Sequence, residues 1–374
     1  MDVCGDRGER RLLVAMVDDV SDRGGDDCEI AGHTGTVRAR MATVDPNPVR
    51  VSALERRLLR VLTVTAWLGC IALVCFVGLR LTGHDRAPSV AAVQSFTLYL
   101  LFPAWLALGF AIGARKRGLT AVSGFLVLTH VVLLYPEMHA GLDISREARD
   151  APTIRVIDAN LWQENVRVDE IIDEVRSSGA DIVLLQEYGK ANRRAFQESG
   201  VLDAYPFQLE FEQDSPFGAL IASKLPFLES SLADIGGIEM PHAVVDTAIG
   251  PVDVISVHAN RPVTAAENRG WTAQHAELAH LVRTRTRPLV LGGDFNATTS
   301  HRPFRDLLHA GITDAHRALG QGLSNSWPND RRYPPLIRID HLLTTREIVP
   351  LHIRNGTGAG SDHVPFIADL ALVG

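Results

Sequence analysis

Residues 288–296 read Pro-Leu-Val-Leu-Gly-Gly-Asp-Phe-Asn, and this stretch decides the fold class that the sequence predicts. Its apolar run, Pro288–Leu291, is short and bounded by two glycines, which is typical of a buried β-strand. Asp294 and Asn296 follow directly, at the end of the strand where α/β enzymes carry their functional side chains. The stretch therefore predicts one strand of an α/β sheet with a polar site at its end.

The same pattern of an apolar run followed by polar residues recurs along the C-terminal part of the chain. Helical spacing places Ile171, Ile172 and Val175 on one face of an amphipathic helix. Strands that alternate with helices, together with a hairpin at Gly250–Pro251, predict an α/β sandwich with mixed sheets. The predicted strands are 153–160, 181–187, 219–222, 243–247, 252–258, 288–291, 338–343 and 364–370, and the predicted helices are 168–177, 265–283 and 303–308.

The N-terminal part of the chain has a different composition. Residues 1–57 are polar and are predicted to be a disordered tail, and three apolar runs follow at about 58–81, 90–114 and 119–136. Each run is close to the length that crosses a hydrocarbon core, so three transmembrane helices are predicted. Residues 137–152 are interpreted as a linker, and residues 153–374 as the catalytic domain.

The distribution of positive charge predicts how the chain is oriented in a membrane. Arginines cluster between residues 50 and 60, and residues 115–117 are Arg, Lys and Arg. The positive-inside rule assigns both segments to the cytoplasm. Three spans then predict a multi-pass protein of the cell membrane whose catalytic domain is extracytoplasmic.

Net charge argues against polyanion binding, and the cysteine content argues against disulfide-based or zinc-based structure. The formal charge is -7, with 37 Lys and Arg against 44 Asp and Glu, which argues against a protein that wraps a polyanion. The four cysteines lie in the polar tail and in the first apolar run, so they predict neither a disulfide framework nor a cysteine-based zinc site.

Six blocks of polar residues, each next to a predicted strand, carry the chemistry. Carboxylates and an Asn carbonyl are hard oxygen ligands suited to Mg²⁺ or Mn²⁺. An Asp hydrogen-bonded to a His ring would hold that ring cationic toward a phosphate. The set favours metal-assisted phosphoester cleavage over acyl transfer, for which no nucleophile elbow is present. The blocks are Asp158-Ala159-Asn160, Gln186-Glu187, His258-Ala259-Asn260, Asp294-Phe295-Asn296, Asp340-His341 and Ser361-Asp362-His363.

From about Thr153 to Leu372, these blocks in this order resemble the endonuclease/exonuclease/phosphatase superfamily. With the three preceding apolar runs, the chain resembles its membrane-anchored branch, the VanJ-like proteins associated with glycopeptide-antibiotic resistance. The resemblance implies a four-layer, DNase I-like α/β sandwich with two mixed sheets and the helices outside.

The resemblance also implies a role for each site residue. Glu187 would be the principal metal ligand, with Asn160 and Asp362 completing the shell. Asp294 would orient or deprotonate the attacking water, and either Asp294 or His363 would take its proton. Asn296 would donate to phosphoryl oxygens, and Asp340 would orient His363. His258 would contact the scissile phosphate, and Trp327 would line the mouth of the site.

The sequence thus predicts a membrane-anchored, metal-dependent phosphohydrolase that acts on a phosphoester or pyrophosphate bond. Because anchoring raises the effective concentration of a substrate held in the same bilayer, a lipid phosphate is the expected substrate. A surface-tethered nuclease that degrades extracellular DNA and a non-catalytic cell-envelope receptor are the two alternatives. No obligate protein partner is predicted.

Overall fold

The computed structural model describes residues 52–83, 85, 87–213 and 216–374, so most of the predicted polar tail lies outside the described residues. The helices are α1 (Ala53–Thr82), α2 (Pro88–Ser95), α3 (Thr97–Leu100), α4 (Pro103–Gly113), α5 (Arg117–Met138), α6 (Arg146–Asp150), α7 (Val168–Ser178), α8 (Lys190–Ser199), α9 (Ala265–Thr284), α10 (Arg302–Leu308) and α11 (Ala315–Ala318). The strands are β1 (Thr153–Asn160), β2 (Ile182–Gln186), β3 (Phe207–Phe211), β4 (Ala219–Ser223), β5 (Phe227–Ile235), β6 (Ile238–Thr247), β7 (Gly250–His258), β8 (Leu289–Asp294), β9 (Thr313–Asp314), β10 (Asp340–Thr344), β11 (Ile348–Asn355) and β12 (Phe366–Leu372).

The strands form two six-stranded mixed sheets, which confirms the predicted class of sheet. The first has the order β11-β12-β1-β2-β4-β3, and the second has the order β5-β6-β7-β8-β10-β9. Each contains one parallel pair, β1 with β2 and β7 with β8, flanked by antiparallel strands. The parallel pairs require crossover connections, which helices α7 and α9 supply.

Three apolar clusters hold these layers together. Val156 and Leu184 of the first sheet pack with Val254 and Leu342 of the second, so the two sheets lie face to face. A second cluster joins the outer face of the first sheet to α7 and α8. A third joins the outer face of the second sheet to α9 and α10. The helices therefore lie outside the paired sheets, as in a DNase I-like α/β fold.

Strand register brings the polar strand ends to one edge of this sandwich. Asn160 lies opposite Gln186 across the parallel pair β1 and β2. In the second sheet, Asp294 lies opposite both His258 and Asp340. The carboxyl ends of the parallel strands and the amino end of the antiparallel strand β10 meet at the same edge, so chemistry-bearing residues from distant parts of the sequence become neighbours.

The apolar N-terminal part forms two helices long and apolar enough to cross a membrane, rather than three regular spans. These helices are α1, with 30 residues, and α5, with 22 residues. The predicted second span, 90–114, is not one straight helix, because a bend of 72° separates Pro88–Ser95 from Thr97–Gly113. The backbone leaves helical geometry at Phe96, with φ -100° and ψ 20°. The segment counts as a third span only if the bent pair is one element.

A buried network of charges connects the end of α5 to the second sheet. Arg338 Nη1 donates to Asp314 Oδ2 at 2.7 Å, and His341 Nδ1 lies 2.7 Å from the same oxygen. Glu137 Oε2 of α5 lies 3.7 Å from Arg338 Nη2. Burial alone would raise the pKa of Asp314, but Arg338 and His341 hold it well below its ordinary value. The Asp314 carboxylate is therefore charged and tightly partnered in the folded chain.

Replacement of Asp314 by Ala is expected to lower the free energy of unfolding by about 3–5 kcal/mol, because the buried Arg338 cation loses the carboxylate to which it is hydrogen-bonded and keeps only Glu137 at 3.7 Å. Urea unfolding of the detergent-solubilised full chain measures the change. Asp173→Ala, which removes an exposed ion pair with Arg176, is the control and should change stability by no more than about 1 kcal/mol. Equal and small effects of the two substitutions would contradict a stabilising role for this network.

Candidate active site

Gly292 and Gly293 of β8 allow Asp294 to lie close to both sheets. Gly293 has φ +139°, and a side chain there would collide with the backbone of Val257 in the neighbouring strand. A side chain at Gly292 would collide with Leu184 of the opposite sheet. Glycine at both positions therefore permits the close approach of backbone and sheet that Asp294 needs.

Asp294 is the residue on which donors from both sheets converge. Its Oδ1 accepts a hydrogen bond from the backbone N–H of Asn296 at 2.8 Å. Its Oδ2 accepts from Asn160 Nδ2 and from Asn296 Nδ2, both at 3.2 Å. The Nε2 atoms of His258 and His363 lie 3.7 and 3.8 Å from the same oxygen. Asp294 is thus a buried carboxylate at the centre of a polar cluster.

His363 is oriented by Asp340. Its Nδ1–H donates to the Asp340 carboxylate, at 2.9 Å from Oδ2 and 3.1 Å from Oδ1. Burial alone would lower the pKa of His363, but the carboxylates of Asp340, Asp294 and Asp362 raise it well above its ordinary value. The ring is therefore an imidazolium whose Nε2 side faces Asp294.

Asp294 and His258 also have shifted pKa values. Burial raises the pKa of Asp294, and the nearby Asp340 and Glu187 add to this effect against the opposing charge of His363. Burial and the neighbouring His363 lower the pKa of His258 to about 4, so that its ring is neutral at pH 7. Asp294 thus lies between one cationic and one neutral imidazole, a pairing that separates acid and base roles.

The predicted metal ligands Glu187 and Asp362 offer carboxylate oxygens that fit a divalent cation. Glu187 Oε2 accepts from the backbone N–H of Gln163 at 2.8 Å, while its Oε1 has only a 3.4 Å contact with Asn160 Nδ2. Asp362 Oδ2 accepts from Trp327 Nε1 at 3.1 Å. Its buried Oδ1 has no hydrogen-bond partner among the described residues. A buried carboxylate oxygen without a donor is the kind of atom that binds a cation.

Asn160 and Asn296 turn their amide nitrogens toward carboxylates. The Asn160 carbonyl oxygen accepts from the backbone N–H of Trp162 at 3.0 Å, and its NH₂ group faces Glu187 and Asp294. Asn296 Nδ2 donates to the carbonyl of Ala259 at 2.9 Å as well as to Asp294. Metal ligation by Asn160 and donation to phosphate by Asn296 therefore stay predictions.

Asp294, Asp340 and His363 form a group of ligand-type side chains, whose ligand atoms all lie within 4.8 Å of one another. Because the His363 ring is hydrogen-bonded to Asp340, we interpret this group as one that handles protons and charge. Metal ligation by Glu187 and Asp362 stays a prediction.

Sequence reasoning missed Ser326 and assigned no role to Ser361, although Ser361 belongs to one of the six predicted blocks. Ser326 Oγ accepts from the backbone N–H groups of Ile339 and Asp340, at 3.1 and 3.3 Å. Ser361 Oγ donates to the carbonyl of Asn160 at 2.8 Å and accepts from the N–H of His363 at 3.0 Å. Serines are common in loops, so only the folded structure identifies these two as supports of the site.

Asp158, from the first of the six polar blocks, lies beneath the site. Its Oδ2 accepts from Gln186 Nε2 at 3.0 Å, and the same nitrogen lies 3.1 Å from Ser256 Oγ of the other sheet. Burial and the nearby Asp340 raise the pKa of Asp158 well above its ordinary value. Asp158 therefore takes part in a buried polar bridge between the sheets.

The site opens into a cleft of about 750 Å³. Seven of the nine predicted site residues line it, whereas Asn160 and Asp340 lie behind the lining and support it. The seven lining residues are Glu187, His258, Asp294, Asn296, Trp327, Asp362 and His363. Three residues of the apolar N-terminal part, Ala92, Ser95 and Phe96, also line the cleft, which the sequence did not predict.

Two mixed sheets that bring carboxylates and an Asp-oriented histidine to one edge define an α/β sandwich with a polar site. The sequence model of the Endonuclease/Exonuclease/phosphatase family matches residues 154–363, which is more than half of the chain. The chain therefore belongs to this family, whose members are phosphoesterases and nucleases. Among curated proteins, none matches the chain.

Several solved structures are similar to the chain. They include the endonuclease/exonuclease/phosphatase from Beutenbergia cavernae, at 19% identity over 59% of this chain and 72% of that chain, with a TM-score of 0.47. An AP endonuclease from Archaeoglobus fulgidus is 17% identical over 57% of this chain and 98% of that chain, with a TM-score of 0.49. TDP2 from D. rerio, complexed with a single-strand DNA product, is 17% identical over 58% and 98% of the two chains, with a TM-score of 0.48.

Asp340→Asn is expected to lower kcat for phosphoester hydrolysis by about 10²–10⁴, because the amide keeps the shape but no longer holds His363 cationic and oriented. Steady-state kinetics with a water-soluble phosphoester measures the change, with KM expected to vary less than about tenfold. Asp169→Asn, at an exposed position in the first turn of α7, is the matched control. Unchanged kcat in Asp340→Asn would contradict a role for this hydrogen bond in catalysis.

Proposed function

We propose that this protein is a membrane-anchored, divalent-metal-dependent phosphohydrolase that acts on a phosphoester or pyrophosphate bond of a lipid-linked substrate. The observation that carries the proposal is the convergence of Asn160, His258, Asn296 and His363 on the single carboxylate of Asp294. The family membership of the chain supports phosphoester chemistry at this centre.

The charges of the site support an assignment of the proton steps. Because the carboxylates of Asp340, Asp294 and Asp362 raise the pKa of His363, that ring supplies positive charge rather than a base. Asp294 orients the attacking water and accepts its proton, because burial raises the pKa of this carboxyl group and so makes it a stronger base. His363 and His258 then face the charge that develops on the phosphoryl oxygens as the phosphorus–oxygen bond to the leaving group breaks.

Glu187 and Asp362 would hold Mg²⁺ or Mn²⁺, and Asn160 is proposed to complete the shell by a turn of its amide. When bound, the ion supplies neutralisation of phosphoryl charge and a fixed position for the ester. The Oδ1 of Asp362, which has no hydrogen-bond partner among the described residues and lies 3.9 Å from His363 Nε2, supports this assignment.

The exposed apolar surface of α1 supports a membrane anchor. Within this 30-residue helix only Cys70, Val77 and Arg80 are buried, whereas Val64 and Leu68 are 58% and 63% exposed. A helix that is apolar on every side and uncovered by protein is stable in lipid and costly in water. The positive residues 115–117, at the start of α5, support a cytoplasmic position for that turn and an extracytoplasmic position for the catalytic domain.

The contacts between the anchor and the catalytic domain support a substrate held in the same membrane. The ring of His301 lies 2.9 Å from the carbonyl of Ala91, and Tyr99 Oη donates to the carbonyl of Leu336 at 2.7 Å. Gly322 N–H donates to the carbonyl of Glu137 at 2.8 Å. These bonds keep the site close to the apolar helices, which favours a lipid phosphate over a soluble metabolite.

Metal-dependent release of phosphate or headgroup from lipid phosphates by the detergent-solubilised full chain is expected, with loss of activity in EDTA and recovery with Mg²⁺ or Mn²⁺. Asp294→Asn and His363→Gln should each lower the rate by about 10²–10⁴, because they remove the proton acceptor and the fixed positive charge. The substrates are phosphatidic acid, a polyprenyl pyrophosphate, and single-stranded and duplex DNA.

His309→Gln, an exposed histidine outside the cleft, is the control for the histidine variant. Release from DNA alone, with a steep salt dependence, would replace the lipid proposal by the tethered nuclease. If the wild-type chain hydrolyses none of these substrates with either metal present, the enzyme proposal would be overturned in favour of a cell-envelope receptor.

A further inference from the structure

The active-site cleft has one wall that comes from the anchor and not from the catalytic domain. Ala92, Ser95 and Phe96 line the same cleft of about 750 Å³ as Asp294 and His363. Phe96 is the residue at the bend, since it closes α2 and precedes α3. The break in the predicted second span therefore coincides with the place where this segment reaches the cleft.

Polar contacts on both sides of Phe96 fix this wall to the catalytic domain. His301 Nδ1 accepts from the backbone N–H of Thr298 at 2.9 Å, so its Nε2 carries the proton that is donated to the carbonyl of Ala91. On the other side, Tyr99 Oη donates to the carbonyl of Leu336, and Asn325 Nδ2 donates to the same hydroxyl at 3.2 Å. A wall pinned at both ends is a built part of the cleft.

The anchor side of the cleft is apolar, whereas the catalytic end is polar. Ala92 is exposed and Phe96 is half-buried, and both belong to the apolar N-terminal part of the chain. Val263, on the loop between β7 and α9, also lines the cleft and is 63% exposed. Apolar side chains left uncovered beside a catalytic centre favour a ligand that brings hydrocarbon to cover them.

The charge of the lining disfavours a nucleic-acid strand along this wall. Among the described residues that line the cleft, Arg261 is the single Arg or Lys. Five carboxylates line the same cleft, namely Glu164, Glu187, Glu267, Asp294 and Asp362. A nucleic-acid strand needs a row of Arg or Lys side chains to neutralise its successive phosphates. A lipid phosphate has one charged group followed by hydrocarbon, so it needs positive charge at one position only.

We propose that Phe96, Ala92 and Val263 form a hydrocarbon subsite that receives the first carbons of a lipid chain while its phosphate lies at Asp294 and His363. This inference rests on the proposed function, because it assigns the specificity of the same site. The anchor then does more than concentrate the protein at the membrane, since its bent segment selects substrates by their chain.

Binding of hexadecyl phosphate and of butyl phosphate to the detergent-solubilised full chain tests the subsite without any need for turnover. Titration calorimetry with Mg²⁺ present is expected to give an affinity for the long-chain phosphate about tenfold or more above that for the short one. Phe96→Ser and Val263→Ser should each reduce this preference by about tenfold and change butyl phosphate affinity by less than about twofold.

Phe125→Ser, at an exposed position of α5 outside the cleft, is the matched control and should keep the preference. Because Val263 is largely exposed in a loop, its replacement leaves the fold intact even if Phe96→Ser disturbs the bend. Equal affinity of the wild-type chain for the two phosphates, or equal loss of both in the variants, would overturn the subsite.

The same preparations separate this inference from the proposed function. Hydrolysis of lipid phosphates without any chain-length preference would overturn the subsite and keep the phosphohydrolase. A chain-length preference that depends on Phe96, in a chain that hydrolyses nothing, would keep the subsite and overturn the enzyme.

Discussion

The hydrogen bond from Asn160 Nδ2 to Asp294 Oδ2 joins the polar edges of the two sheets, and the rest of the site depends on the packing that makes it possible. Asn160 ends β1 in one sheet, and Asp294 ends β8 in the other. Only the apolar layer between the sheets, with Val156 and Leu184 against Val254 and Leu342, brings these ends within bonding distance. The site is thus a consequence of sandwich packing, and its precision reflects the close packing of that layer.

Much of the fold could be predicted because central strands and amphipathic helices carry strong local patterns. Strand β1 has the predicted bounds, Thr153–Asn160, and the predicted helix at 265–283 differs from α9 by one residue. Four strands were missed, β3, β5, β9 and β11, and all four lie at sheet edges. Edge strands pack on fewer neighbours, and β5 is mostly exposed, so it has no apolar run or alternation that a sequence pattern could show.

The candidate site could be predicted as a set of residue types at strand ends, but not as a geometry. Asp340 lies opposite Asp294 because β10 runs antiparallel to β8 in a particular register. The spacing of residues along the sequence does not determine this pairing. Ser326 carries no signal that separates it from other loop serines, and the block Ser361-Asp362-His363 does not show that Ser361 supports Asn160 and His363. The bend at Phe96 was missed because an apolar run indicates only membrane affinity, whereas the bond from His301 to Ala91 holds the bent segment against the cleft.

Surface-dilution kinetics tests whether the Asp294 centre acts on a phosphate that is held in the membrane. Wild-type chain and Asp294→Asn are assayed in mixed micelles at constant bulk concentration of the lipid phosphate, while added detergent lowers its mole fraction in the micelle. The account predicts a wild-type rate that falls with mole fraction and a rate for Asp294→Asn lower by about 10²–10⁴ throughout. A wild-type rate that follows bulk concentration alone, or a variant as active as the wild type, would contradict it.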